Sequence, residues 1–254
     1  MIELRGVELS VGGRPLLEGI DANVAPGEFL AVLGRNGAGK TTLLRAIAGL
    51  HRTASGTILI DGRSSESLHS LERAKRIAFV TGDEVFLEAL CVRDVVAIGR
   101  FAHHRWWQWH AEKEDADAIS SALRAVRLEA LAERLFSTLS AGERQRVWIA
   151  LGLAQETPIL LLDEPTSHLD VAVAHEILSL LRALAQSGKS VVCALHDVNE
   201  AAEYADSVAL LGDGRLLAIS PPQALRDGKL LQETYGIAFT LRGALLPLLD
   251  HPHI

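Results

Sequence analysis

The feature that most constrains this chain is a glycine-rich segment that fits the phosphate-loop pattern G-x-x-x-x-G-K-S/T. An apolar run typical of a strand, residues 28–33, precedes the segment, and residues 43–50 follow it with the pattern of a helix. This order of strand, glycine turn and helix distinguishes a phosphate-binding loop from an ordinary Gly-rich strand–helix turn. The segment therefore predicts a site for a nucleoside triphosphate. Its residues are Gly34, Arg35, Asn36, Gly37, Ala38, Gly39, Lys40, Thr41 and Thr42.

The residue types in this segment suit a chain of phosphates. Gly34, Gly37 and Gly39 allow successive backbone N–H groups to turn inward and form an anion-binding nest at the start of a helix. Lys40 supplies a positive charge for the β- and γ-phosphates, and the hydroxyl of Thr41 is a candidate ligand for Mg²⁺.

Composition limits the fold and the partners. With 254 residues, 48% of them hydrophobic, the chain can build a substantial core, consistent with one α/β domain that carries an insertion. A formal net charge of -7 argues against a large nucleic-acid interface, which normally needs a basic face.

The termini and the cysteines suggest where the protein works. Residues 1–5 lack the apolar stretch of a signal peptide, and no apolar run approaches the roughly 18 residues that span a bilayer. Cys91 and Cys193 lack metal-ligand spacing, so we interpret them as two core thiols in a reducing cytosol. We expect a soluble, cytosolic protein that could still dock on a membrane component.

Short apolar runs alternate with helical patterns along most of the chain, which predicts an α/β fold with buried, largely parallel strands. The middle differs, because it shows helical patterns alone and therefore predicts a helical subdomain that interrupts the sheet. Pro221 and Pro222 begin a short helical segment, and the last apolar stretch is 244–249. The predicted strands are 2–9, 29–33, 57–60, 77–80, 159–162, 190–195 and 208–211; the predicted helices of the middle region are 92–100, 112–127, 131–136 and 141–155.

Two carboxylates follow the apolar run 159–162 directly. A strand buried on both faces would bring Asp163 and Glu164 to its carboxyl end, where open α/β sheets bind ligands. Asp163 is placed to hold Mg²⁺, and Glu164 suits a general base that orients water. An acidic strand–loop junction without function is the alternative, and the phosphate loop argues against it.

Two further segments are ambiguous on spacing alone. Ser140 and Glu143 have the spacing of a capping box, which needs no ligand. Ser140 and Gly142 at a helix N-terminus would also present a hydroxyl and free N–H groups to a phosphate. His196 follows the predicted strand 190–195, where a lone histidine is more often structural than catalytic, but this sheet edge also carries Asp163.

In this order, the segments resemble the ATP-binding subunit of an ABC transporter over residues 1–220. Residues 34–41 resemble the Walker A motif, and residues 159–163 resemble Walker B, with Glu164 in the position of the catalytic glutamate. Residues 167–170 resemble the D-loop, which ends at Asp170, and His196 resembles the switch histidine. Residues 139–143 resemble the LSGGQ signature, with Ala141 replacing its first glycine and Glu143 its glutamine.

The resemblance implies a fold, a cofactor set and partners. The implied fold is a phosphate-loop NTPase with a RecA-like, mainly parallel sheet, an antiparallel β edge and an inserted α-helical subdomain. The expected parts are a catalytic core of residues 1–81 and 156–220, a helical signature subdomain of 82–155 and a C-terminal extension of 221–254.

ATP and Mg²⁺ would bind between two subunits of a head-to-tail homodimer. The signature residues Ser140, Ala141, Gly142 and Glu143 of one subunit would contact the ATP of the other. The expected partners are integral-membrane permease subunits and, indirectly, an extracytoplasmic substrate-binding protein, with no nucleic acid. The expected location is peripheral, on the cytoplasmic face of the inner membrane.

Finer features resemble importers of iron–siderophores, haem and cobalamin. The segments that carry this resemblance are residues 92–103, 142–150 and 196–206. We therefore expect an ATPase that powers import of such a metal chelate by a separate permease. The alternatives are a soluble ABC ATPase in cofactor assembly, translation or DNA repair, and a nucleotide-binding subunit with impaired hydrolysis.

Two departures from the family pattern affect these expectations. Val11 stands where the family usually has an aromatic residue that stacks on adenine; it has no π-face, although Arg14 could stack instead. Gly82 replaces a glutamine that normally reaches Mg²⁺ and water, and Asp83 or Glu84 could substitute for it. We expect hydrolysis to survive, with weak adenine selectivity and altered coupling.

Residues 105–110, with three tryptophans in the sequence RWWQWH, form an unusual cluster in the helical insertion. Packing at a helix entry is the favoured interpretation, and a permease-docking surface is the alternative. Base stacking on nucleic acid is disfavoured by the acidic balance of the chain.

Overall fold

The central sheet follows from strands whose residues are apolar on both faces. In the computed structural model, which describes residues 1–81, 87, 89–103, 113–236, 239–241 and 245–247, this sheet has the order β10-β9-β3-β8-β7-β6. Strands β6, β7, β8, β3 and β9 are parallel, and β10 is antiparallel to β9. Its strands are β3 (Phe29–Gly34), β6 (Ile77–Val80), β7 (Ile159–Asp163), β8 (Ser190–Ala194), β9 (Ser207–Gly212) and β10 (Arg215–Ser220).

An antiparallel sheet covers one face of the central sheet, with the order β2-β1-β4-β5. Its strands are β1 (Ile2–Val11), β2 (Arg14–Val24), β4 (Ser55–Ile60) and β5 (Arg63–Ser64). The predicted α/β class with an antiparallel edge is therefore confirmed.

Helices fill the connections. Helix α1 (Lys40–Ile47) follows β3, α2 (Ser70–Ala74) precedes β6, α6 (Val171–Gln186) and α7 (Val198–Tyr204) follow β7 and β8, and α8 (Lys229–Tyr235) packs on β9. Between β6 and β7 lie α3 (Val92–Ala97), α4 (Lys113–Ala125) and α5 (Ala141–Ala154). The 3₁₀ turns are Ser65–Ser67, Ile98–His103, Glu129–Leu131, Phe136–Thr138 and Pro222–Asp227, and the short strands β11 (Phe239–Leu241) and β12 (Leu245–Pro247) pair near the C-terminus.

The core lies on both faces of the central sheet, and β3 shows why its sequence is continuously apolar. Phe29, Ala31 and Leu33 pack into the cluster that includes the helical insertion. Leu30 and Val32 point the other way, into the cluster formed with α1 and the antiparallel sheet. Alternate residues of a strand face opposite sides, so a strand covered on both faces has no polar position.

The predicted helix 131–136 is wrong. Two 3₁₀ turns flank this segment, and Leu135 forms a β-bridge with Cys91. In a helix, the backbone groups of this segment would bond to one another. Here they bond to residues 90–93 instead; for example, the Val92 N–H donates to the Arg134 carbonyl at 3.0 Å. These contacts across the insertion outweigh the local helical preference. The helix predicted over 92–100 also changes to 3₁₀ geometry after Ala97.

The interpretation of the cysteines holds for one of the two. Cys193 is fully buried in β8, where burial raises the pKa of its thiol. Cys91 is half-buried at the start of α3, and its Sγ donates to the Asp94 carboxylate at 3.1 Å. The thiol of Cys91 is thus outside the core, because it lies where a turn enters the helical insertion.

No helix within the described ranges is both long enough and apolar enough to cross a membrane.

Candidate nucleotide-binding site

The glycine-rich segment forms a tight loop between β3 and α1. A Cβ atom on Gly34 would lie 2.6 Å from the backbone oxygen of Leu211, so a side chain there would collide with β9. Gly39 has φ 97°, and a Cβ there would lie 3.0 Å from Cγ of Leu17. Space at Gly34, and backbone conformation at Gly39, therefore require glycine.

Lys40 is the first residue of α1 and is only 5% exposed. Its Nζ donates to the carbonyl of Gly34 at 3.0 Å and lies 3.5 Å from that of Arg35. Burial lowers the pKa of Lys40, and the nearby carboxylates of Glu164 and Asp163 oppose that shift. The ammonium group is therefore held at the loop's own carbonyls, within the segment expected to wrap the phosphates.

Asp163 ends β7 and faces the start of α1. The Thr41 hydroxyl donates to its Oδ1 at 3.1 Å. Burial raises the pKa of Asp163, and the Thr41 hydrogen bond opposes the rise. Asp163 at the end of β7 and Thr41 at the start of α1 thus place their side-chain oxygens next to each other.

These oxygens fit a magnesium ion. Mg²⁺ prefers hard oxygen ligands and is usually held by one or two protein groups together with substrate phosphates. Thr41 and Asp163 supply such groups at the end of the phosphate loop. Among the described residues there is no cluster of three or more His, Cys, Asp or Glu side chains of the kind that forms an all-protein metal cage.

Glu164 follows Asp163 in the left-handed region, at φ 53°. A non-glycine residue in this region costs roughly 1–3 kcal/mol, and such residues cluster at functional sites. The Glu164 N–H donates to the carbonyl of Ala194 at 3.1 Å, which holds the turn on the end of β8.

His196 lies in the loop after β8, beside this turn. Its Nε2 is 2.6 Å from Oε1 of Glu164. The structure therefore brings these two predicted residues into contact, although they lie on different loops. The pairing follows from the sheet order, because β7 and β8 are neighbouring parallel strands.

A cavity of about 840 Å³ opens over this group. It includes an apolar wall of Val11 and Leu16, and Leu16 is a residue that no sequence motif indicated. None of its described lining residues is Phe, Tyr or Trp, and Val11 is 53% exposed. The described lining is Val11, Leu16, Asn36, Gly37, Ala38, Gly39, Lys40, Thr41, Thr42, Glu164, Ser167, His168 and His196.

The signature segment does not line this cavity within its own chain. Ser140 and Glu143 form the capping box at the start of α5: Glu143 N–H donates to Ser140 Oγ at 3.3 Å, and Ser140 N–H donates to Glu143 Oε2 at 2.8 Å. The Ser140 N–H lowers the pKa of Glu143. Ser140 and Ala141 are exposed, and Gly142 is half-buried against Val173.

Asp170 caps the N-terminus of α6, where its carboxylate accepts the Val173 N–H at 3.0 Å. A smaller cavity, of about 370 Å³, lies where α5 and α6 meet. Its arginines, Arg127 and Arg146, both pair with Glu176. No predicted site residue lines it, so the chemistry points to the larger cavity.

Two sets of predicted residues lie outside the described part of the chain. They are the replacement for the family glutamine at Gly82, Asp83 and Glu84, and the tryptophan-rich residues 105–110.

A sequence model described as "ABC transporter" matches residues 17–167. The chain belongs to the ABC transporter family. The match spans the phosphate loop, the helical insertion, the signature and the carboxylates of Asp163 and Glu164 at the end of β7. This ABC protein is an ATPase and binds ATP, as the family to which it belongs implies.

Two similar proteins are named as ATP-binding proteins of a siderophore transport system and of hemin import. The probable siderophore transport system ATP-binding protein YusV of Bacillus subtilis (strain 168) is 37% identical over 238 residues, which are 93% of this chain and 86% of that protein. The hemin import ATP-binding protein HmuV of Streptomyces coelicolor (strain ATCC BAA-471 / A3(2) / M145) is 41% identical over 230 residues, covering 91% and 81%. The predicted likeness to the siderophore and haem importer group is confirmed.

Solved structures of ABC transporter proteins have the same fold as this chain. An inward-facing conformation of a metal-chelate type ABC transporter matches with a TM-score of 0.85 and 28% identity, covering 98% of both chains. The dimeric structure of a bacterial ABC transporter cassette matches with a TM-score of 0.77 and 29% identity, covering 87% of this chain and 99% of that one.

Proposed function

We propose that this ATPase powers a separate membrane permease that imports a metal chelate. The observation that carries the proposal is its similarity, over more than 90% of the chain, to ATP-binding proteins of siderophore transport, ferric enterobactin transport and hemin import. Their names favour a ferric siderophore or haem as cargo, while cobalamin rests on sequence resemblance alone. The proposed parts are the catalytic core 1–81 and 156–220, the helical signature subdomain 82–155 and the extension 221–254.

The geometry suggests how the chain's own groups act on ATP. Lys40 would leave the carbonyls of the loop and bind the β- and γ-phosphates together with the backbone N–H groups. Its low exposure strengthens that attraction, because charges interact more strongly away from water. A Mg²⁺ ion held by Thr41 and Asp163 would neutralise charge on the phosphates.

Glu164 would orient the attacking water and accept its proton as the oxygen bonds to the γ-phosphorus. The bond to the ADP oxygen breaks in the same reaction, which leaves ADP and inorganic phosphate. His196, 2.6 Å from Glu164, would orient that carboxylate and donate to the γ-phosphate. Both residues line the cavity beside the phosphate loop, which supports these roles.

We propose that the working unit is a head-to-tail homodimer. The capping box leaves Ser140 exposed at the start of α5, and the signature segment is absent from the cavity lining of its own chain. A second subunit would bring Ser140 and Gly142 to the γ-phosphate, and Asp170 would lie near the subunit contact. The dimeric cassette structure of a similar protein supports this arrangement.

The helical insertion offers a surface for the permease. Phe101 is 80% exposed and Ile98 45% exposed on the same 3₁₀ turn after α3. A cytoplasmic segment of the permease with apolar side chains would cover them. A Phe101→Ser variant should then keep its basal ATP turnover but recover less permease in co-purification. Equal recovery of permease would contradict this placement.

Substituting Glu164→Gln tests the catalytic assignment. The variant keeps the size of the side chain but cannot accept a proton, so we expect loss of turnover with ATP binding retained and a trapped dimer. The exposed Glu203→Gln is the matched control and should behave as wild type. Turnover of Glu164→Gln near the wild-type rate would show that the base is another group.

Co-purification from native membranes tests the transport assignment. A partner with membrane spans supports it, and a soluble partner in its place would favour a non-transport ABC ATPase. A bound metal chelate on the matching extracytoplasmic protein would identify the cargo.

A further inference from the structure

A second contact joins the turn that carries Glu164 to helix α7, which follows the loop that carries His196. The hydroxyl of Thr166 donates to Oε2 of Glu200 at 2.9 Å. Thr166 lies two residues after Glu164, and Glu200 lies four residues after His196. The contact therefore joins the same two parts of the chain as the Glu164–His196 pair.

The surroundings of Glu200 hold it in place. It lies in α7, whose start is capped by the Asp197 carboxylate, which accepts the Asn199 N–H at 2.7 Å. Val198 and Ala201 of the same helix are buried, so α7 is anchored to the core. Glu200 is half-buried: burial raises the pKa of its carboxyl, and the hydrogen bond from Thr166 opposes this rise.

The other loop needs such an anchor. Glu164 has a left-handed backbone, and Ser167 Oγ is 3.5 Å from its Oε2, at the limit of a hydrogen bond. His196 has a side chain that is 43% exposed. The relative position of Glu164 and His196 thus depends on how firmly their two loops are joined.

We propose that the hydrogen bond between Thr166 and Glu200 acts as a clamp that fixes the position of Glu164 relative to His196. Glu200 is then a positioning residue for hydrolysis. The inference rests on the roles proposed above for Glu164 and His196. Lys40 and the backbone N–H groups proposed to bind the phosphates belong to the phosphate loop, whereas the clamp acts on Glu164 and His196. The clamp therefore affects mainly kcat, with a smaller effect on KM through the contact of His196 with the γ-phosphate.

The experiment compares steady-state ATP turnover of five variants. Glu200→Ala and Thr166→Val each remove the hydrogen bond, and kcat should fall about tenfold with a clearly smaller change in KM, because small misplacements of catalytic groups have large effects on rate. Glu200→Gln and Thr166→Ser keep an acceptor and a hydroxyl, and they should restore most of the rate. The double variant, Thr166→Val with Glu200→Ala, should be no slower than either single one.

Controls separate the clamp from folding and from the catalytic assignment. Glu203→Ala removes an exposed carboxylate from the same helix and should leave kcat unchanged. If Glu200→Ala does not fold, the Thr166→Val and Thr166→Ser pair carries the test alone. Wild-type kcat in Glu200→Ala or Thr166→Val, or additive losses in the double variant, would overturn the clamp. Glu164→Gln is measured in parallel: if it turns over ATP, the proposed base fails, whereas an inactive Glu164→Gln beside a normal Glu200→Ala refutes the clamp alone.

Discussion

Replacing Asp115 by alanine tests which contact holds the helical insertion together. Nε of Arg100 donates to Oδ1 of Asp115 at 2.8 Å, and both side chains are 6% exposed. Arg100 also reaches the carbonyl of Ala154 at 2.8 Å and Oε2 of Glu156 at 2.6 Å. One guanidinium group thus joins the turn after α3 to α4 and to the end of α5.

The expected cost follows from burial. Removing one partner of a buried ion pair destabilises a protein by about 3–5 kcal/mol, because the other charge remains away from water. Glu156 stays as a partner for Arg100, but its side chain is 57% exposed and compensates weakly. We therefore expect the lower end of that range, which for a chain of this size lowers the unfolding midpoint by roughly 6–12 °C.

Thermal and urea unfolding, followed by circular dichroism, would measure this loss. Asp117→Ala, on the exposed face of the same helix, is the control and should change stability little. Replacing the pair together, with Arg100→Met and Asp115→Leu, should recover most of the loss, since apolar residues of similar volume leave no buried charge. A loss below about 1 kcal/mol in Asp115→Ala would show that the pair contributes no more than a surface salt bridge.

Three further predictions concern the nucleotide site and the sheet that supports it. Val11→Tyr should lower KM for ATP by roughly tenfold, because stacking on a base is worth about 1–3 kcal/mol; the wild type should hydrolyse ATP and GTP at similar rates, and a strong ATP preference would refute the assignment of Val11. Gly34→Ala should reduce ATP binding in calorimetry, because its Cβ would lie 2.6 Å from the Leu211 backbone oxygen; wild-type affinity would mean that the loop tolerates displacement. Burial tends to raise the pKa of Asp206, but its hydrogen bonds, chiefly from Arg182, outweigh burial, and the pKa is lowered. The ionised Asp206 therefore stabilises the fold at neutral pH, and this stabilisation is lost as the pH falls through the lowered pKa. Asp206→Asn should therefore be less stable at neutral pH and lose less stability in acid, and parallel pH profiles of the two proteins would contradict this.

Strands with two buried faces were predictable to within about a residue, whereas two strands with many exposed or half-buried positions were missed. The runs at 29–33, 77–80 and 159–162 differ from the observed strands by one residue at most. Strand β2 escaped prediction because exposed positions interrupt its apolar residues. Strand β10 was also missed; its short apolar run is half-buried or exposed at every position. Turn signals could have located both. Gly12-Gly13 and Asp213-Gly214 each have two positive φ values, as in the type I′ turns of hairpins.

The helix predicted over 131–136 failed for a reason that a local pattern cannot contain. Its backbone bonds to residues 90–93, about 40 positions earlier in the chain. The spacing of apolar residues indicates which face of a segment is buried. It does not indicate which distant segment forms hydrogen bonds with its backbone.

The amino-acid sequence by itself determined the phosphate loop, because the conformation of Gly39 and the order of strand, turn and helix depend on neighbours along the chain. It also determined the capping box of Ser140 and Glu143, whose partners are three residues apart. Only the tertiary structure decided that Glu164 meets His196, that Thr166 meets Glu200, and that Leu16 joins the wall of the cavity. These contacts exist because β7 and β8 are neighbours in the sheet and because the β1–β2 hairpin folds over the loop, and such adjacency is set by the packing of the whole core.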